Sequence, residues 1–245
     1  MPLVNPYNDN ARAATYAELD IKNTYYFAYR DLPYLFTKYG ISGSALDYGC
    51  GTGRSTRFLR DHGFLTVGVD ISEAMISKAC EHEPRGDYRL ISPGNLEEIP
   101  NDEFNFVLSV MPFDSIATMQ EKVDTLSEIS RVLKPGGWKI LVASSRDIYL
   151  HEWVSFSAVE FPENQSAKNG DTVRVIINEL GDRRAVEDIL WTEEAYEATF
   201  QRTSLQLVET RYPTVMPDDD YQCEWMTEKT HAPWIVFVLQ KPTTL

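Results

Sequence analysis

Three glycines at alternate positions, Gly49, Gly51 and Gly53, follow a carboxylate, Asp47, at the end of a short apolar run. A second carboxylate, Asp70, closes another apolar run, Phe64-Leu-Thr-Val-Gly-Val-Asp70, about 20 residues further on. Glycine is required where a backbone takes positive φ or lies against a ligand. Residues 54–60 read as a helix whose free N–H groups point at the same spot. A dinucleotide site uses G-x-G-x-x-G to cradle a pyrophosphate. Here the order is Asp-x-Gly-x-Gly-x-Gly, and a carboxylate at Asp47 repels a pyrophosphate and attracts a cation. These residues point to a nucleoside with a positive group and no phosphate, a description that fits S-adenosylmethionine. Asp70 is placed to accept from both ribose hydroxyls, with Ile71 on the adenine face.

The elements that must position these groups alternate. Strands are expected near 45–49, 64–70, 87–91, 104–110 and 138–144, separated by helices, which predicts a parallel sheet covered on both faces. Ser72 is a good N-cap for the helix after Asp70. A helix over about 118–133 carries Met119, Val123, Leu126, Ile129 and Leu133 at spacings of three and four. Its Glu121, Lys122, Asp124 and Glu128 read as a solvated face. Ahead of the sheet, residues 1–40 form a helical cap ended by Gly40 and dense in tyrosine, including Tyr7 and Tyr16, which suits a lid over a half-wet pocket. Residues 145–203 are an insertion in which 171–179 and 184–189 make a β-hairpin and Thr192 starts a helix. Strands at 205–212 and 234–240 close the chain. The loop between them carries Asp218-Asp219-Asp220, three consecutive acids that read as a solvated loop and not a metal site.

Asp47 to Gly53 resembles the first motif of the class I S-adenosylmethionine-dependent methyltransferases, and Asp70 their acidic second-strand end. Gly94-Asn95-Leu96 resembles their Gly-Asp-Leu beside the adenine, with Asn for Asp, and Leu133-Lys-Pro-Gly-Gly137 their "LKPGG" turn. The resemblance covers roughly residues 41–144 and implies an α/β fold: a doubly wound, Rossmann-like, seven-stranded sheet, mostly parallel with an antiparallel last strand, plus the helical cap and the inserted hairpin. The chain is then one domain, with cap (1–40), cofactor-binding core (41–144), substrate-side insertion (145–203) and C-terminal strands (204–245). The resemblance places the cofactor S-adenosylmethionine against Tyr16, Asp47, Gly49, Cys50, Gly51, Gly53, Asp70, Ile71, Asn95, Leu96, Ser109 and Val110. The acceptor is expected over Met111, Asp114, Tyr149 and Trp153, with Phe156 and Phe161 able to join them.

Methyl transfer is an in-line displacement that mostly needs alignment. A base is needed only where the acceptor holds its proton. His151, just beyond the fifth strand, is the candidate base, since its ordinary pKa suits neutral pH; Asp147 and Glu152 stand ready to orient it or to compete.

Composition narrows the partners. The 245 residues carry a net charge of −14, which disfavours nucleic acid and anionic lipid. No run of about 18 apolar residues is present, so no membrane span is expected. The three cysteines, Cys50, Cys80 and Cys223, form neither a disulfide framework nor a zinc pattern, and a cytoplasmic protein is expected. The function expected is methyl transfer to a small-molecule acceptor at oxygen, nitrogen or carbon. The alternatives are a protein that binds the cofactor or its demethylated product without transferring methyl, and, disfavoured by the glycine spacing, a nicotinamide-dependent oxidoreductase.

Overall fold

Residues 9–217, 219 and 224–243 are described by a computed structural model. Tyr7, Asp218, Asp220 and Cys223 lie outside the described residues. The main sheet is built from β1 (Ser44–Tyr48), β2 (Leu65–Asp70), β3 (Asp87–Leu90), β4 (Phe104–Val110), β5 (Leu133–Ser144), β9 (Gln206–Arg211) and β10 (Trp234–Gln240). Its order is β3-β2-β1-β4-β5-β10-β9, with β10 antiparallel to both neighbours and the other pairs parallel. The order reverses between β1 and β4, which opens a crevice at the carboxyl ends of those strands.

Alternate residues of the central strands enter opposite cores, as a period of two requires. Ala45, Phe106, Leu108, Ile140, Val142 and Val236 face helices α3 (Leu32–Tyr39) and α4 (Arg54–Asp61). Leu46, Val107, Leu141 and Phe237 face α6 (Met119–Val132) and α7 (Glu193–Phe200). The helix ends follow the sequence signals. Ser72 accepts from the Met75 N–H at the start of α5 (Glu73–His82), Thr118 and Glu121 form a capping box on α6, and Gly40 ends α3 in the left-handed region at φ 63°.

The cap consists of α1 (Asn10–Ala17), a 3-10 turn at Asn23–Tyr25, α2 (Tyr26–Tyr29) and α3. The insertion forms its own sheet of β6 (Phe156–Ser157), β7 (Thr172–Ile177) and β8 (Val186–Ile189), so the expected hairpin gains a third strand. Two surface readings change. Asp219 is not solvated: it accepts from Arg30 at 2.9 Å and from the Tyr26 hydroxyl at 3.1 Å, tying the late loop to the cap. Lys122 is fully buried against Phe113, Trp191 and Tyr196, because the insertion and α7 cover that side of α6. Among the described residues no helix is long and apolar enough to cross a membrane.

Candidate active site

The three glycines share positive φ but serve different neighbours. A Cβ on Gly49 (φ 78°) would meet Pro112 at 2.4 Å, and one on Gly53 (φ 82°) would meet the Tyr88 hydroxyl at 2.5 Å. Gly51 (φ 52°) has nothing within 4 Å of that position and borders a cavity of about 620 Å³ outside the ends of β1, β2, β4 and β5. Gly49 and Gly53 therefore permit close packing, whereas Gly51 leaves ligand space. Asp70 latches the turn to β2: one carboxylate oxygen accepts from the Gly51 N–H at 2.8 Å and the other from the Ser72 N–H at 2.9 Å. Burial pushes the Asp70 carboxyl up, against the lowering pull of these donors. A carboxylate has about four acceptor positions, so Asp70, which also takes the Ile71 N–H, keeps acceptor capacity for a ligand hydroxyl.

Of the other residues expected at the cofactor, Tyr16, Gly49, Ile71 and Val110 also line the cavity. Asp47 does not. It is buried beneath the turn, where Oδ2 accepts from Ser55 and Thr56 at 2.7 and 2.6 Å, so it anchors the first turn of α4 and does not line the cavity. Burial raises its pKa to about 6. Cys50 packs inward, its thiol pushed well up by burial, and Gly53 is taken up by Tyr88. Ser109 points into the sheet and accepts from the buried Lys139 ammonium. Asn95 accepts from the Glu97 N–H in its own turn at 2.8 Å, and Leu96 enters the core; Pro93 and Gly94 form the cavity wall in their place. Arg54 lies over the rings of Tyr25 and Tyr16, 4.5 and 5.7 Å from their centroids, and does not itself line the cavity.

At the far end of the cavity Met111 takes φ 70°, an uncommon conformation for a residue with a side chain. It starts the 3-10 turn Pro112–Ser115, which brings Asp114 to the cavity. Asp114 is saturated. It accepts from the Ser144 hydroxyl at 2.7 Å, the Ser144 N–H at 3.1 Å and the Tyr196 hydroxyl at 3.3 Å. Opposite stands Asp188 of β8, whose Oδ2 accepts from the Tyr149 hydroxyl at 3.0 Å. Burial and then the charge of Asp114 raise the Asp188 pKa to about 7. Val173, Val175, Ile177 and Val186 lie on the same hairpin face, paired across β7 and β8, so Asp188 is the one carboxylate on an aliphatic surface. Asp188, Tyr25, Ile148, Phe156 and Trp234 line the cavity, and only Phe156 among them was expected there. The missed signal was a carboxylate two residues after Val186, on the apolar side of an alternating strand.

Met111, Asp114 and Tyr149 all line the cavity. Trp153 does not: it is fully buried in the core under the inserted sheet. Phe161 stacks under Arg174 away from the cavity. His151 is also elsewhere. Its side chain is 40% exposed, 3.8 Å from Asp147 and tilted against His231, because the 3-10 turn Arg146–Tyr149 sends Tyr149 inward and His151 outward. Glu152, its other neighbour, accepts from the N–H groups of Ala158 and Val159.

Comparison with known proteins points to methyl transfer. Residues 46–141 match the family model described as a methyltransferase domain. YqeM of Bacillus subtilis, a methyltransferase by assignment only, is 26% identical over 190 residues, 74% of this chain and 70% of that protein. The malonyl-[acyl-carrier protein] O-methyltransferase of Salmonella typhimurium is 34% identical over 94 residues, 38% of this chain and 36% of its own. Residues 46–141 carry a methyltransferase domain, and the relatives this chain resembles include S-adenosylmethionine-dependent methyltransferases. The 18S rRNA (guanine-N(7))-methyltransferase of Bos taurus is 27% identical over 133 residues, 54% of this chain and 47% of its own, so relatives differ in acceptor. The chain spans half or less of the Salmonella and bovine proteins. The fold agrees with an S-adenosylmethionine-dependent methyltransferase of Clostridium acetobutylicum, with TM-score 0.62 at 17% identity over 97% of this chain and all of that one (100%).

The methyltransferase's cofactor is S-adenosylmethionine, and its residues fit that molecule. The open space at Gly51 leaves room for a ligand against the backbone, and Asp70 lines the same cavity with acceptor capacity to spare. Ile71, Met75 and Ile91 supply apolar surface beside Asp70 for a purine.

Proposed function

We propose that the enzyme transfers a methyl group to a small molecule enclosed between the sheet's carboxyl ends and the inserted hairpin. One observation carries this reading: a single cavity of about 620 Å³ is lined at one end by Gly51 and Asp70 and at the other by Asp114, Tyr149 and Asp188. That volume is in the range of small-molecule sites, and the wall formed by Ile148, Phe156, Val175, Ile177, Val186 and Trp234 suits an apolar body. The net charge of −14 favours such an acceptor over a nucleic acid. Free cysteines at Cys50 and Cys80 fit work in a reducing cytoplasm.

S-adenosylmethionine, when bound, supplies an electrophilic methyl on a positively charged sulfur. The protein's residues do the rest. Gly51 and Asp70 fix the nucleoside, the aliphatic face of β7 and β8 excludes water, and the turn after Met111 sets the floor. Asp188 is the general base in this reading. Its pKa of about 7 lets it take a proton near neutral pH, and the Tyr149 hydroxyl orients it. An acceptor screen read by S-adenosylhomocysteine release tests this. Turnover of a small molecule, lost in Asp188→Asn, supports it; methylation of RNA or protein alone would refute it.

A further inference from the structure

The charge of the cavity is one-sided. Asp70, Asp114, Glu121, Asp124, Glu187 and Asp188 line it, and among the described residues no Lys, Arg or His does. Lys122, whose charge acts on both Asp114 and Asp188, does not line the space: its side chain donates to the Phe113 carbonyl and is packed among aromatic rings, and burial pushes its pKa down to about 7. At the acceptor end Asp114 has its hydrogen-bonding capacity used by Ser144 and Tyr196. Asp188 does not. Its Oδ2 takes the Tyr149 hydroxyl, while Oδ1 accepts no hydrogen bond among the described residues, on a strand face otherwise made of Val173, Val175, Ile177 and Val186.

We infer that the acceptor is an amine on an apolar body, its ammonium seated on Asp188 Oδ1 beside Asp114 and its body against Phe156, Ile148 and Trp234. The inference rests on the small-molecule reading above. Two carboxylates in an apolar pocket repel each other, and a cation between them removes that cost. A carboxylate, phosphate or phenolate acceptor would add a third negative charge with no lining cation to meet it. A neutral alcohol offers one donor and leaves the repulsion in place. The aromatic wall of Phe156 and Trp234 also favours a cation.

The reaction balances without a further reagent. One ammonium N–H proton passes to Asp188 Oδ1, leaving a lone pair on nitrogen. That pair bonds to the methyl carbon as the carbon–sulfur bond breaks, and the electrons of the broken bond stay on sulfur. The sulfonium becomes the thioether of S-adenosylhomocysteine, the product carries the positive charge as N-methylammonium, and Asp188 returns its proton to solvent after release.

Calorimetry on the enzyme saturated with S-adenosylhomocysteine tests this, using 2-phenylethylamine, 2-phenylethanol and 3-phenylpropanoate at pH 8. The amine should bind at least about tenfold tighter than the alcohol, one charge-assisted hydrogen bond's worth, and the acid should not bind. In Asp188→Asn the amine's advantage should vanish while S-adenosylhomocysteine binds as in the wild type, which certifies the fold. The wild-type ranking alone is decisive: an alcohol or acid that binds as tightly as the amine, or no amine binding, overturns the assignment. Release of S-adenosylhomocysteine with hydroxyl acceptors and not with amines removes the amine and leaves the small-molecule reading. Methyl label on RNA or protein alone removes that reading itself.

Discussion

Tyr149 and Asp188 lie 39 residues apart in the chain and meet at 3.0 Å, where the turn after β5 faces the inserted hairpin. This contact joins the main sheet to the inserted sheet, and it sets a titratable carboxyl in the cavity. Asp188→Asn keeps the shape and the Tyr149 contact but removes the base. Turnover should fall by about 10²–10⁴ with S-adenosylhomocysteine affinity unchanged. Steady-state kinetics beside calorimetry separates the two effects.

The pH dependence follows from the same group. Asp188 must be ionised to accept a proton, so kcat/KM should climb as pH rises through about 7 and then level off. Asp114, Lys122, Tyr149, Tyr196 and the adjacent Glu187 surround it and shape the curve. Stability runs the other way. With its folded pKa raised from 3.8, Asp188 holds an extra proton in the folded state, so its contribution is present at low pH and lost as pH rises through about 7. Asp47, raised to about 6, has the same sign at lower pH, and Lys122, lowered to about 7, the opposite sign above neutrality. Asp188→Asn should therefore lose less stability than the wild type between pH 5 and 8, measured by thermal melts.

Asp70→Ala removes the acceptor for the backbone N–H groups of Gly51, Ile71 and Ser72 and, in the proposed binding mode, for the ribose. Affinity for S-adenosylmethionine should drop by about 10- to 100-fold, the value of a charge-assisted hydrogen bond or two. Unchanged affinity would displace the nucleoside from β2.

Gly49 and Gly51 should respond differently to alanine. At Gly49 the added Cβ strikes Pro112, so the variant should lose about 2–4 kcal/mol of stability, seen as a lower Tm. At Gly51 the Cβ meets open cavity, so strain of about 1–2 kcal/mol should accompany a larger loss of cofactor affinity.

His151→Ala should leave turnover within about twofold of the wild type, because the side chain is exposed beside Asp147 and His231. A large loss of kcat would return the base to His151 and remove it from Asp188.

The glycine turn, Asp70 and the alternation of strands and helices were legible because each rests on local rules: positive φ, a period of two, a capping serine. The strand Trp234–Gln240 was found with its boundaries intact, as a run of apolar residues buried on both faces allows. The acceptor end was not legible in the same way. His151 and Tyr149 sit two residues apart, and which of them turns inward is decided by packing against a hairpin remote in sequence. Lys122 read as solvated because nothing local to α6 reports that the insertion and α7 cover it. Asp47 read as a ligand group for the same reason: Ser55 and Thr56, which claim it, come from the next helix.

The most direct test uses methyl-labelled S-adenosylmethionine with a panel of small amines, alcohols and acids, alongside RNA and protein extracts. Label recovered in a small amine, with S-adenosylhomocysteine formed in equal amount and both abolished by Asp188→Asn, is the predicted result. Label confined to RNA or protein, with no small molecule methylated, would contradict the account.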